Sequence, residues 1–339
     1  MSWPTFWLKA DWRSTLLKPL SWLVCREATR RLQRFRLNPP ISPGLVILVG
    51  NIVVGGTGKT PFIVWLVQRL VHRGYNVGVI ASGYGGQAKT WPQQVNADSD
   101  ATLVGDEPVL LARALGCPVI ASPKRAEAMA MMFKHHHLDI VISDDGLQHY
   151  ALARDIELIM LDATRPNQGL GNGLCLPAGP LREPASRLSE VDFVIFNGER
   201  PAELDFNAPC VGQMQLQPVR FVNLLNPRIE YDLGAFSGQQ GYAVAGIGHP
   251  ERFYSTLKSL SIQPLPLDFS DHHAFSASDF NTLDTKKPLF MTTKDAVKCN
   301  LFAKDNWWVL EINPICDCAF ENALMLKVRQ AVNTKKSKN

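Results

Sequence analysis

The chain has 339 residues, of which 46% are hydrophobic and 19% are charged, and its formal net charge is +4. This length predicts two domains of ordinary size, and this composition excludes a wholly disordered or low-complexity protein. The seven cysteines are scattered and include no CxxC pair. A zinc ribbon or a disulfide framework is therefore not expected. The cysteine pattern instead predicts a protein of a reducing compartment.

The first 36 residues carry most of the positive charge. They hold eight basic and two acidic side chains, so this segment is +6 and the rest of the chain is −2. Four of the eight tryptophans also lie here, at Trp3, Trp7, Trp12 and Trp22. No uncharged run is long enough for a signal peptide or a membrane span, so neither is expected.

An amphipathic helix is predicted after Pro19. Its apolar side would carry Leu20, Val24, Ala28, Leu32 and Phe35, with Arg26, Arg30 and Arg34 opposite, and Trp3, Phe6, Trp7 and Ala10 form a similar stripe before the proline. Indole rings and guanidinium groups favour the headgroup zone of an anionic membrane. The alternative is a helix packed on its own domain. Nucleic-acid binding is not expected, because the basic charge does not recur.

Short apolar runs and helical patterns alternate from residue 44 onward, which predicts a mostly parallel sheet covered by helices. Strands are expected at 44–50, 76–81, 117–121, 138–143, 157–161 and 192–196, and helices at 61–72 and 123–135. Residues 205–240 are rich in Gln, Pro and Asn and predict a linker with short strands at 212–216 and 219–225. A second α/β unit follows, with strands at 241–245, 289–292 and 307–312 and helices at 250–260 and 320–332.

A glycine-rich loop between the first strand and the first core helix is the strongest chemical signal. It reads Gly55, Gly56, Thr57, Gly58, Lys59, Thr60. Backbone amides of such a loop and the helix N-terminus bind phosphates; Lys59 would reach the β- and γ-phosphates, and Thr60 would place its hydroxyl on Mg²⁺. The usual first glycine is Val53 here. The alternative is a tight strand–helix turn with an incidental Lys-Thr.

Carboxylates follow the strand at 138–143 and extend the nucleotide hypothesis. Asp144 or Asp145 could hold Mg²⁺ directly or through water, as hard oxygen ligands do; a capping aspartate before Gly146 is the alternative. Two weaker clusters contain Asp106 and Glu107, and Asp271, His272 and His273. A carboxylate paired with a histidine can take a proton from an acceptor hydroxyl. Alternatively, Asp106 caps a helix and His272 is an ordinary surface residue.

The chain resembles the tetraacyldisaccharide 4'-kinase family over about residues 44–300. The matching motifs run from Gly50 through the loop to Pro61, from Asp144 to His149 and on to Arg154-Asp155, and from Leu176 to Glu183. Further matches lie at 105–108, 245–250, 271–273 and 293–299. The basic, tryptophan-rich N-terminal segment is also similar to the membrane-associated helix of that family.

This resemblance implies transfer of the ATP γ-phosphoryl group to the 4'-hydroxyl of a tetraacyl glucosamine disaccharide 1-phosphate, with Mg²⁺, which forms lipid IVA at the cytoplasmic face of the inner membrane. It implies that Lys59 and Thr60 bind phosphates and metal, and that Asp144 and Asp145 organise the metal beside Gln148 and His149. It further implies that Asp106 is the base, poised by His272 from the other domain. Glu107, Arg182 and Glu183 are implied as active-site residues, and Arg182 could neutralise transition-state charge. No obligate protein partner is expected.

The resulting fold prediction is a P-loop NTPase-like parallel-sheet core with a second, smaller α/β domain and an N-terminal amphipathic helical segment. The predicted bounds are 1–36 for that segment, 37–204 for the core, 205–240 for the linker and 241–334 for the second domain. One competing function is a membrane-recruited regulatory ATPase; such ATPases often carry a lysine before the Gly-Gly of the loop, where this chain has Val54. Another competing function is a soluble small-molecule kinase, but that function does not account for the basic, tryptophan-rich N-terminal segment.

Overall fold

The computed structural model describes residues 3–267, 269–270 and 273–337, so the predicted Asp271 and His272 lie outside the described residues. The α-helices are α1 (Thr5–Leu8), α2 (Trp12–Leu37), α3 (Lys59–His72), α4 (Ala101–Val104), α5 (Asp106–Ala114), α6 (Arg125–His135), α7 (Pro250–Ser259), α8 (Thr293–Cys299) and α9 (Cys318–Lys336).

The strands alternate with these helices along the chain. They are β1 (Leu45–Gly50), β2 (Val77–Ala81), β3 (Gln93–Val95), β4 (Val119–Ala121), β5 (Ile140–Asp144), β6 (Ile156–Asp162), β7 (Phe193–Asn197), β8 (Val211–Asn223), β9 (Glu230–Tyr231), β10 (Gln240–Val244), β11 (Gln263–Leu267), β12 (Leu289–Met291) and β13 (Trp307–Cys316). The predicted α/β class is confirmed.

The chain forms two compact units. The larger comprises Trp3–Gln215 and Pro314–Asn339, and the smaller comprises Leu216–Asn313. The chain therefore leaves the larger unit within β8 and returns to it within β13.

The sheet of the larger unit has the strand order β8-β7-β6-β1-β5-β2-β4-β3. Its pairs are parallel except for β3, which runs antiparallel to β4 at one edge. Every residue of β1 and β5 is buried, as expected for strands covered by helices on both faces. Pairing of Val49 with Asp144 places the carboxyl ends of β1 and β5 side by side, where ligands bind in open parallel sheets.

The C-terminal helix α9 belongs to the larger unit, whereas the predicted bounds assign it to the second domain. The reason is aromatic packing: the Phe320 ring centroid lies 6.3 Å from those of Phe62 and Trp65 in α3 and 5.7 Å from that of Phe193 in β7. Phe320 is fully buried. A helix-length apolar pattern gives no indication of which sheet it covers.

The smaller unit has a parallel sheet of its own in the order β11-β10-β12-β13. Two apolar clusters cover it, one around Phe221, Phe236 and Phe290 and the other around Phe275 and Phe280. The region predicted to be a linker instead contains β8, a single strand of 13 residues, in place of two short ones. Pro218 does not end this strand.

The N-terminal helix α2 differs from its prediction, because it begins at Trp12 and continues through Pro19. Its start is fixed independently of the proline: the Asp11 carboxylate accepts hydrogen bonds from the amides of Arg13 and Ser14. No helix in the described ranges is both long and apolar enough to cross a bilayer.

The helix α2 packs against the rest of the larger unit through both small and aliphatic side chains. Ser14, Ser21 and Leu32 are buried, and Val24 and Cys25 contact the apolar core. Most of the apolar stripe predicted to meet a membrane, including Leu32, therefore meets protein instead. Leu20 of that stripe remains exposed, together with five residues outside the stripe: Leu8, Trp12, Leu16, Trp22 and Leu23.

A disulfide joins Cys25 of α2 to Cys175, which follows it by 150 residues. The scattered cysteine spacing did not predict this bond, because the pairing depends on how α2 packs against a distant loop. The other five cysteines are free thiols.

Candidate active site

The glycine-rich loop leaves the carboxyl end of β1 and enters α3 through Gly58, whose φ of 90° is left-handed. A Cβ at this position would lie 2.4 Å from Asn197 Nδ2, so glycine is required there. Asn197 Nδ2 in turn donates a hydrogen bond to the Thr57 carbonyl at 3.1 Å. Inside the loop, Asn51 Nδ2 donates to the Gly55 carbonyl at 3.0 Å. The loop is thus built by buried amide side chains as well as by glycine.

Residues 180–182 run along the first part of this loop. The Val54 amide donates to the Pro180 carbonyl at 3.0 Å, and the Arg182 amide donates to the Ile52 carbonyl at 2.7 Å. These two bonds bring Arg182, which was predicted from a motif more than 120 residues downstream, to the glycine-rich loop.

Lys59 and Arg182 converge on Asp145. Lys59 Nζ lies 3.5 Å from Asp145 Oδ1, and Arg182 Nη1 donates to Asp145 Oδ2 at 3.0 Å. Asp145 has a φ of 51°, an unusual left-handed value for a residue with a side chain. Such a conformation is found where surrounding contacts impose it, and here two cations hold its carboxylate in place.

The two neighbouring aspartates have opposite pKa shifts. Burial and the charge of Glu107 raise the pKa of Asp144 to about 7. Burial also acts to raise the pKa of Asp145, but Lys59 and Arg182 outweigh it and lower this pKa to about 2. For Lys59, burial alone would lower the pKa, but the carboxylates of Asp145, Asp144 and Glu107 raise it. The sequence could not distinguish the two aspartates, and the structure does.

The carboxyl oxygens of this pair fit a hard divalent cation. Oδ1 of Asp144 and Oδ1 of Asp145 are buried and have no hydrogen-bond partner in the part of the chain that the structure describes. Carboxylate oxygens with unused lone pairs at a strand terminus are suitable ligands for Mg²⁺. That same part of the chain has no group of three or more His, Cys, Asp or Glu able to hold a metal.

Gln148 links Arg182 to Glu183 through a hydrogen-bonded network. Gln148 Nε2 donates to Glu183 Oε1 at 2.6 Å and to the Asn51 carbonyl at 3.2 Å, while Gln148 Oε1 accepts from Arg182 at 3.4 Å. Glu183 is buried and also accepts a hydrogen bond from the Tyr150 hydroxyl at 3.1 Å. Gln148 and Glu183 thus orient other residues of the site, and the His149 side chain is exposed beside them.

Asp106 and Glu107 form the first turn of α5. The preceding Gly105 has a φ of 93°, and a Cβ on it would lie 2.6 Å from the Tyr84 carbonyl. This close approach fixes where α5 begins. Asp106 and Glu107 are both half-buried, and the Glu107 charge acts on Lys59 and Asp144.

Arg125, a buried cation in the first turn of α6, was not among the predicted site residues. It donates to the Ser122 carbonyl at 2.7 Å and to the Asp144 carbonyl at 3.3 Å. Burial lowers its pKa, and the charges of Asp144, Asp145 and Glu107 oppose this effect. The position just after β4, at the carboxyl edge of the sheet, was the signal that could have identified it.

The predicted site residues of the larger unit therefore form one continuous region. It comprises Gly55, Gly56, Thr57, Gly58, Lys59, Thr60, Glu107, Asp144, Asp145, Gln148, Arg182 and Glu183, with Asp106 beside Glu107 and His149 beside Gln148. His272 lies outside the described residues.

Comparison with known proteins gives one consistent result. The sequence model of the LpxK family, tetraacyldisaccharide-1-P 4'-kinase, matches residues 13–329. A tetraacyldisaccharide 4'-kinase from Hydrogenovibrio crunogenus is 50% identical over 333 residues, which cover 97% of this chain and 98% of that protein. One from Pseudomonas putida is 46% identical and covers 90% and 89%, respectively. The crystal structure of LpxK from Aquifex aeolicus, described as a complex with ATP, has a TM-score of 0.77 and 24% identity and covers 94% of this chain and 99% of that one.

Proposed function

We infer the function of this chain from the family to which it belongs, the tetraacyldisaccharide-1-P 4'-kinase family. The chain is a kinase that uses ATP and Mg²⁺ to phosphorylate the 4'-hydroxyl of a tetraacyl glucosamine disaccharide 1-phosphate, and the product is lipid IVA. The contacts of Lys59 and Arg182 with Asp145, beside the glycine-rich loop, support this assignment most strongly. A regulatory ATPase is not favoured. Incubation of the purified chain with ATP and the disaccharide lipid, followed by thin-layer separation, tests the reaction directly.

Each side chain then has a defined task in phosphoryl transfer. The loop amides and Lys59 bind the terminal phosphates and offset their charge, and Arg182 neutralises charge that develops during transfer. Thr60, Asp144 and Asp145 would hold Mg²⁺, which supplies further charge neutralisation when bound. Asp106 accepts the proton of the acceptor hydroxyl, and Glu107 adds negative charge beside Lys59.

We expect nucleotide binding to release a proton near neutral pH. Below about pH 7 the free protein keeps Asp144 protonated, and a divalent cation requires the ionised carboxylate. Calorimetric titration with Mg·ATP at pH 6, in two buffers of different ionisation enthalpy, should show release approaching one proton, and the release should vanish at pH 8.5. The Asp144→Asn variant is the control for protons released by the nucleotide itself. Equal release by the variant and the wild type would exclude Asp144 as the source.

We further propose that the chain binds peripherally to an anionic membrane surface at the cytoplasmic face of the inner membrane. The exposed residues Trp12, Leu16, Leu20 and Leu23 of α2 follow a helical spacing that puts them on one face. The same face continues toward the C-terminal half of the helix with the exposed Arg30 and Arg34. Large apolar side chains followed by arginines are typical of helices that lie in the headgroup zone. The acceptor lipid, with four acyl chains, would be reached at that surface.

Substitution of two leucines tests this surface. The Leu16→Glu/Leu20→Glu variant should lower partitioning onto vesicles containing anionic lipid by at least about tenfold, because each buried leucine contributes about 1.5–3 kcal/mol. The variant should keep its fold, since these side chains are 72% and 52% exposed. Leu326→Glu, at a leucine of α9 that is 57% exposed, is the matched control. Vesicle binding by the double variant equal to that of the control would place the membrane surface elsewhere.

A further inference from the structure

The segment before α2 contacts the phosphate-binding loop itself. Trp3 Nε1 donates a hydrogen bond at 3.0 Å to the carbonyl of Val54, which is the residue immediately before Gly55. The Trp3 ring also lies over the Arg165 guanidinium, with 4.1 Å from Cζ to the ring centroid. A Cβ on Gly55 would lie only 3.3 Å from Arg165 Nη2. Three groups that are far apart in sequence therefore meet on one side of the loop.

These contacts fix the orientation of the peptide between Val54 and Gly55. The Val54 amide donates to the Pro180 carbonyl and the Val54 carbonyl accepts from Trp3, so both backbone polar groups of this residue are held. A trans peptide directs its carbonyl and the next N–H in opposite directions. Fixing the Val54 carbonyl toward Trp3 therefore fixes the Gly55 N–H on the other side. Gly55 has a φ of 101°, a region that glycine enters freely, so the glycine-rich loop does not fix this plane by itself.

Arg165 has a defined place beside this plane. It is 9% exposed, its Nε lies 3.5 Å from Asp162 Oδ2, and Trp3 covers its face. A stacked guanidinium of this kind is rigid, and a lysine would not reproduce its planar contact. Arg165 therefore limits how far the loop can shift at Gly55.

We propose that Trp3 and Arg165 are positioning residues of the phosphate-binding loop, which hold the Val54–Gly55 peptide in the orientation that binds nucleotide. This inference rests on the proposed function, since it assumes that the loop binds ATP. Trp3 precedes the helix assigned to the membrane surface by fewer than ten residues. The N-terminal segment thus forms part of the nucleotide site in addition to carrying the membrane-binding helix.

Calorimetric titration of the full chain with Mg²⁺ and a non-hydrolysable ATP analogue tests the proposal. Trp3→Phe keeps an aromatic ring, although a smaller one, and loses the indole N–H. It should raise Kd about fivefold, the ratio that corresponds to one net hydrogen bond. Trp7→Phe is the matched control: it loses an equivalent bond, from Nε1 to the Pro177 carbonyl at 3.0 Å, in the same segment. Its Kd should change less than twofold. Arg165→Lys should also raise Kd for the ATP analogue, because lysine keeps the positive charge but loses the planar contact with Trp3.

Steady-state kinetics separates positioning from general loosening. Trp3→Phe should raise KM for ATP and leave both kcat and KM for the lipid acceptor within twofold. Wild-type affinity in Trp3→Phe, or equal losses in the Trp3 and Trp7 variants, would overturn the inference while leaving the proposed function intact. No binding of the analogue by the wild-type chain would instead defeat the proposed function itself.

Discussion

We expect the Lys59→Ala variant to fold and to lose phosphoryl transfer by about a thousandfold in kcat/KM for ATP, the effect of removing one preorganised group that stabilises transition-state charge. The Lys59 ammonium is held 3.5 Å from Asp145 and is largely buried, with 13% of its side chain exposed. Its position is therefore fixed before nucleotide binds. A solvent cation cannot replace it, because it would have to be ordered anew in each turnover.

The same variant should remain folded for an electrostatic reason. Asp145 keeps its ion pair with Arg182, and Asp144 can stay protonated because its pKa is already about 7. Loss of the Lys59 charge removes one influence that lowers this pKa, so Asp144 would keep its proton to a higher pH. Circular dichroism should show wild-type helix content. Lys134→Ala, at an exposed lysine in the last turn of α6, is the matched control. A folded Lys59→Ala protein with wild-type turnover would refute the role assigned to Lys59.

We expect Asp106→Asn to lower kcat by about 10² to 10⁴, the range that a general base contributes. The substitution keeps the size of the side chain and removes its basicity. KM for ATP should stay within twofold, since Asp106 is proposed to act on the acceptor hydroxyl. Rates measured with saturating ATP and the disaccharide lipid provide the test.

A helix-capping role for Asp106 makes a different prediction. A carboxylate in the first turn of α5 stabilises the helix by about 0.3–1 kcal/mol through the helix dipole. Its loss would then lower the melting temperature slightly and leave kcat unchanged. Asp98→Asn, at an exposed aspartate in the preceding loop, controls for the loss of one negative charge. Full activity of Asp106→Asn would require another residue to be the base.

The nucleotide-binding half of the molecule was predictable because its signals are local. An apolar run, a glycine-rich loop and a helical pattern follow one another between residues 44 and 72, and the structure places β1 and α3 there. The carboxylates at 144–145 end β5 next to β1, as the alternation of strands and helices indicated. Here local propensity and tertiary packing favour the same structure.

Two of the missed features depend on contacts between distant parts of the chain, and one was a local pattern hidden by composition. A proline normally predicts a helix boundary, but packing of Ser14, Ser21 and Leu32 keeps α2 continuous through Pro19. In β8, the alternation of Gln213, Gln215 and Gln217 with less polar residues was a strand signal that composition concealed. The contact of Trp3 with Val54 spans 51 residues and has no local pattern at all.

The position of α9 in the larger unit has a consequence for how the chain is made. Phe320 covers Phe62 and Trp65, yet the ribosome synthesises α9 only after all of Leu216–Asn313. Until then, one apolar side of the helix that begins at Lys59 lacks its cover. The nascent chain therefore cannot complete this part of its core during translation, and a chain released before residue 318 would expose aromatic surface that chaperones recognise.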